Sequence, residues 1–178
     1  MKRIEKAQTS HPRGRRITGR ARQDHVDDPY LLEWKPRGPA VCRDCGAAFR
    51  DGRWQWISSV PATAEPELCP ACRRVRDSFP AGIVTLSGSF VTEHKSDILN
   101  VTRHQEELEN KEHPLNRIMG IREDGDSIEI TTTDIHLPRR IGEALHRAYH
   151  GDLDYHYEAE KYFLRVRWSC DDAGTRSS

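Results

Sequence analysis

Apolar residues are sparse over the first 40 positions and periodic after them: only 5 of the 34 Leu, Ile, Val and Phe residues lie in residues 1–40. A core therefore has to be assembled downstream. Alternation predicts strands over 83–90, 115–122, 127–133 and 162–169. Residues 93–112 read as a polar helix in which Ile98, Val101 and Leu108 mark one narrow apolar face. Asp134 caps a second helix, where Leu137, Ile141, Ala144, Leu145 and Ala148 form one stripe and Pro138 is tolerated in the first turn. Asp124-Gly125-Asp126 turns the second strand into the third. The last strand sets Tyr162, Leu164, Val166 and Trp168 on one face and Phe163, Arg165 and Arg167 on the other. The order β-α-β-β-α-β predicts a ferredoxin-like α+β domain over 81–170, two helices covering one face of a four-stranded antiparallel sheet. An irregular α+β extension of the preceding segment is the alternative.

Residues 41–80 follow a different pattern, short strands and tight turns with too few apolar residues for a core of their own. Phe49-Arg50-Asp51-Gly52-Arg53-Trp54 is a hairpin signal, an Asp-Gly turn between strand formers. The end of the segment, 68–76, reads as a basic turn. Ahead of it, residues 25–40 carry Tyr30, Leu31, Leu32 and Trp34 among prolines, which predicts an extended strap laid over the folded part, with a short helical turn after Pro29. Residues 1–25 are expected to form a disordered basic arm, since Gly, Pro, Ser, Thr and Arg bury too little surface to offset ordering entropy, and 171–178 a disordered tail.

What holds residues 41–80 is expected to be a metal. Cys42-Arg43-Asp44-Cys45-Gly46 and Cys69-Pro70-Ala71-Cys72 are two CxxC pairs with 23 residues between them. Two residues between cysteines let a tight turn aim both sulfurs at one ion, and Gly46 permits the left-handed backbone that such a knuckle needs. Four thiolates suit Zn²⁺ in a closed, structural site, with an iron centre as the competing use of the same ligands. Disulfides would require an oxidising compartment, and a thioredoxin-like centre would use one CxxC at a strand-helix junction. The predicted ligands are Cys42, Cys45, Cys69 and Cys72, and the segment reads as a zinc ribbon folded by its ion. Cys170 reads as a lone thiol.

The knuckles Cys42 to Gly46 and Leu68-Cys69-Pro70-Ala71-Cys72, with Gly82, His113-Pro114-Leu115, Thr132-Thr133-Asp134 and Arg139-Arg140-Ile141-Gly142-Glu143-Ala144-Leu145, resemble a family of short bacterial zinc-ribbon proteins. That family is described as similar to the Nmd family, adaptors that ride on the large ribosomal subunit. The likeness to the bacterial group spans residues 41–170, and the likeness to the adaptors little more than the ribbon. It implies metal ligation by the four cysteines and association with ribosomes or RNA. The chain is much shorter than the adaptors and has a single pair of knuckles, so their export role and downstream binding domains are not implied.

Charge changes the picture further. The 28 basic and 28 acidic side chains cancel, but residues 1–82 hold 16 basic and 10 acidic and the remainder 12 and 18. Lys2, Arg3, Lys6, Arg13, Arg15, Arg16, Arg20 and Arg22 face only Glu5 in the first 22 residues, a composition suited to phosphate neutralisation. Arg53, Trp54, Trp56, Arg73, Arg74 and Arg76 would extend that surface onto the ribbon, with indoles for base stacking, unless Trp54 and Trp56 instead cover the hairpin. The expected partners are RNA, above all ribosomal RNA, and ribosomal proteins. Ser and Thr on the first and third strands of the 81–170 domain argue against base reading by its sheet.

No stretch approaches the length of a membrane span or a secretory signal, so a cytoplasmic protein is expected, although an Arg-rich start also suits a mitochondrial transit peptide. Catalysis is not expected: His136, Arg139, Arg140, Glu143, His146, Arg147 and His150 on the second helix, with His104 and His113 elsewhere, offer acid-base groups for RNA cleavage, but no catalytic spacing accompanies them. A protein-protein adaptor is the other rival.

Overall fold

Alternating burial along four strands builds the larger sheet of the computed structural model, which describes residues 16–18, 26–158 and 160–171. Its strands are β1 (Arg16–Thr18), β6 (Gly82–Ser87), β7 (Ile118–Asp124), β8 (Ser127–Thr132), β9 (Asp152–Tyr157) and β10 (Leu164–Ser169), in the order β1-β9-β10-β6-β8-β7. Val84 and Leu86, Ile128 and Ile130, Leu153 and Tyr155, and Leu164, Val166 and Trp168 all point to one buried face. That face packs under α3 (Ser89–Glu93), α4 (Lys95–Glu112) and α5 (His136–Tyr149), which add Val91, Ile98, Leu137, Ile141 and Leu145. Leu108 and Ala148, expected in the apolar stripes, are exposed, although Tyr149 at the end of α5 still packs against the core.

The expected ferredoxin-like order needs correction. The sheet is mixed, because β10 lies parallel to β6 and antiparallel to β9, which sits outside it. The strand that sequence reading missed is β9: its Asp152, Asp154 and His156 disguise a period-2 pattern whose other members are Leu153, Tyr155 and Tyr157. A chain leaving α5 pairs first as β9 and then reverses, so the slot beside β6 goes to the more apolar β10. At the far edge β1 adds a parallel partner to β9 within the arm expected to lack regular structure. The other basic residues of the arm lie outside the described residues.

A second, smaller sheet contains β2 (Ala40–Cys42), β3 (Ala48–Arg50), β4 (Arg53–Gln55) and β5 (Glu65–Glu67), in the order β4-β3-β2-β5. The Asp51-Gly52 turn has positive φ at both residues, the backbone a two-residue hairpin requires. Phe49 and Trp54 pair across β3 and β4 with ring centroids 5.6 Å apart. The segment expected to end in a basic turn is instead helix α2 (Pro70–Asp77), with Cys69 as N-cap and Pro70 in the first turn, where a missing amide costs nothing.

The strap does contain the expected helical turn, α1 (Pro29–Glu33), capped by Asp28. It is pinned to α2: Arg74, 1% exposed, donates to Asp28 Oδ1 at 2.6 Å and lies over the Tyr30 ring, and Tyr30 donates to Asp77 at 2.8 Å. Leu31, Leu32 and Trp34 were expected to be covered and remain exposed, because α1 is too short to bury more than one side.

Candidate metal centre

The first knuckle closes at the end of β2, where Gly46 donates to the Cys42 carbonyl at 2.8 Å and adopts φ +79°. The second opens α2. Their sulfur atoms, from Cys42, Cys45, Cys69 and Cys72, all lie within 4.8 Å of one another, with Cys45 and Cys69 3.7 Å apart. A tetrahedral ion with metal-sulfur bonds of about 2.3 Å has sulfur-sulfur edges of about 3.8 Å. The cluster is close enough to hold one ion, and the soft, all-sulfur donor set fits a thiophilic metal.

The surroundings suit thiolates. The amide of Cys69 donates to Cys42 Sγ at 3.3 Å and that of Cys72 to Cys69 Sγ at 3.4 Å, at the positive end of α2. Arg117, just ahead of β7, donates through Nη2 to Cys69 Sγ at 3.4 Å and Cys72 Sγ at 3.3 Å. In the metal-free cluster the hydrogen bond between Cys45 and Cys69 lowers the pKa of Cys45 and raises that of Cys69, while burial raises that of Cys72. An ion held by all four sulfurs would have no position open to substrate. Cys170 packs against the larger core, donates to the Tyr149 carbonyl and takes no part in the cluster.

The candidate nucleic-acid residues on the ribbon divide. Arg53 is exposed, as are Arg43 and Arg50. Trp54 is a correction: it is 7% exposed and belongs to the small core with Phe49. Arg74 is another, being buried against Asp28, Tyr30 and the Phe79 carbonyl. Trp56 is exposed on one side but donates to the Asn110 carbonyl at 2.6 Å, tying the ribbon to α4. Arg73 stacks over Trp34 at 4.1 Å and pairs with Glu67, and Arg76 forms a two-bond fork with Asp44. Arg117 carried no local signal in the sequence; only the packing of the two sheets brings it to the sulfurs.

Compared with known proteins, the chain matches no protein-family model, no curated protein and no solved structure. Among the described residues no helix is long and apolar enough to cross a membrane.

Proposed function

We propose that this is a non-enzymatic zinc protein of the cytoplasm that binds structured RNA, with the ribosome as its target, in translation, ribosome stability or RNA turnover. The observation that carries this reading is the joining of two features: eight basic residues against one acid in the first 22, and a four-cysteine ribbon that still exposes Arg43, Arg50 and Arg53. The arm neutralises phosphates and the ribbon presents guanidinium groups from a fixed frame. Zinc is the metal favoured by four thiolates in tetrahedral spacing. Two measurements test the reading. Elemental analysis of purified protein is expected to find one zinc per chain, and iron or no metal would refute the ion assignment. Co-sedimentation with ribosomes is expected to fall steeply with salt and to weaken on deletion of residues 1–22; equal sedimentation of both forms would remove the arm from the mechanism.

A protein-protein adaptor is the second reading, favoured by the exposed Leu31, Leu32, Trp34, Val75 and Phe79 around α1 and α2. Crosslinking in intact cells separates the two: ribosomal RNA dominates the products under the first, a single protein under the second.

A further inference from the structure

A cleft of about 630 Å³ lies where the ribbon meets the helices of the larger sheet. The apolar lining comes from Leu31 of the strap, Pro70 and Ala71 of the second knuckle, Leu115 and Tyr162. The polar lining comes from Glu109 and His113 at the end of α4 and from His136, Arg139, Arg140 and Glu143 in the first turns of α5. The three sequence blocks around His113, Asp134 and Arg139 are separated along the chain and converge here. The metal cluster does not use them.

Asp134 is a lining residue with unmet bonding capacity. It is 4% exposed; Oδ2 accepts the amides of His136 and Leu137 at 2.6 and 3.1 Å, but Oδ1 is buried without a hydrogen-bond partner among the described residues. Such an atom is destabilising unless something supplies a donor. Burial raises this carboxyl to about 7, so near neutrality it can accept a hydrogen bond or donate one. The two arginines are held lightly. Arg139 meets Glu143 at 2.8 Å and Arg140 meets Glu109 at 3.2 Å, each through Nε, on side chains 43% and 60% exposed. Their partners Glu143 and Glu109 are less exposed, at 35% and 16%, and each pair uses only Nε, so the rest of each guanidinium fork is left for a phosphate.

We propose that this cleft binds one nucleotide unit, the base lying against the Pro70, Ala71 and Tyr162 wall with its polar edge toward Asp134, and the phosphate at Arg139 and Arg140. The volume falls in the range of small-ligand sites, and apolar side chains beside a buried carboxyl and two arginines, each shared with a glutamate of the same lining, match a flat base carrying a phosphate. The unit is either an unstacked residue of RNA or a free nucleotide. The first case deepens the RNA reading above and rests on it.

The test uses the full metal-loaded chain, titrated separately with each nucleoside 5′-monophosphate and with a short single-stranded RNA, while the imidazole resonances of His113 and His136 are followed by NMR. Saturable shifts of both are expected, with binding weakened about tenfold or more by Arg140→Ala, whose exposed side chain leaves folding intact. Asp134→Ala is expected to weaken it further, and Arg140→Ala keeps the test valid if that second variant does not fold. Shifts with monophosphates assign a free nucleotide; shifts with RNA alone assign an RNA unit. If neither ligand moves these resonances, or Arg140→Ala binds as wild type, the site does not exist. RNA retention by the same samples, with and without residues 1–22, then reports independently on the RNA reading.

Discussion

Arg117 stands 3.3 Å from the sulfur of Cys72, reaching from the edge of the larger sheet into the cysteine cluster of the smaller one. Its backbone is anchored by Thr133, whose hydroxyl accepts the Arg117 amide at 2.9 Å. The two cores are separate. This guanidinium, the Trp56 bond to Asn110, the packing of Leu115 on the ribbon and Arg74 over the Tyr162 ring are among the contacts that register one unit against the other.

Replacing Arg117 with Met is expected to retain a bound metal but release it several-fold faster to a chelator, because the charge-assisted contact that one Nη2 group shares between two sulfurs is lost. Release at the wild-type rate would show that the guanidinium does not offset the sulfur charge.

Removing the metal, by chelation or Cys69→Ser, is expected to unfold the ribbon alone. Trp54 sits in the ribbon core and Trp168, fully buried, in the larger one. Quenching should therefore expose one indole while the other stays protected. Exposure of both together would mean that the larger sheet cannot stand without the ribbon.

Arg74→Ala leaves Asp28 buried and unpaired. A broken buried pair costs about 3–5 kcal/mol, here offset in part if the strap lifts and lets Asp28 reach water. Proteolytic cleavage within residues 26–40 should accelerate strongly, and an unchanged cleavage pattern would argue that the strap is held by other contacts.

Asp134 makes stability depend on pH. Its carboxyl titrates at about 7 in the folded chain against 3.8 for the reference group, because burial disfavours the charge. Between those values the folded state keeps a proton that the unfolded state has lost, so this contribution is full below about 4 and disappears as pH rises through 7. Asp134→Asn removes the titration. Denaturant unfolding at pH 5 and pH 8 should show the variant gaining on wild type by about 2 kcal/mol across that interval. Parallel curves would place the carboxyl in a far wetter site.

The features legible in the sequence are those whose determinants are local. Two residues between cysteines, the Asp51-Gly52 turn, the apolar stripe from Leu137 to Leu145 and the Pro29 turn each need only neighbouring side chains and backbone dihedrals. Where a residue's role depends on what packs against it from elsewhere, the one-dimensional pattern was silent or misleading. Arg74 read as solvent-facing and is buried by Asp28, and Trp54, which read either as a stacking surface or as cover for the hairpin, is buried by Phe49. The sequence by itself determined a chain with a four-cysteine cluster, a basic front and an α+β remainder. Tertiary structure alone decided that β10 slips between β9 and β6, that Arg117 reaches the sulfurs, and that His113, Asp134 and Arg140 share one cleft. Strand pairing and side-chain convergence are settled by which distant surfaces exclude water together, and no local period encodes that choice.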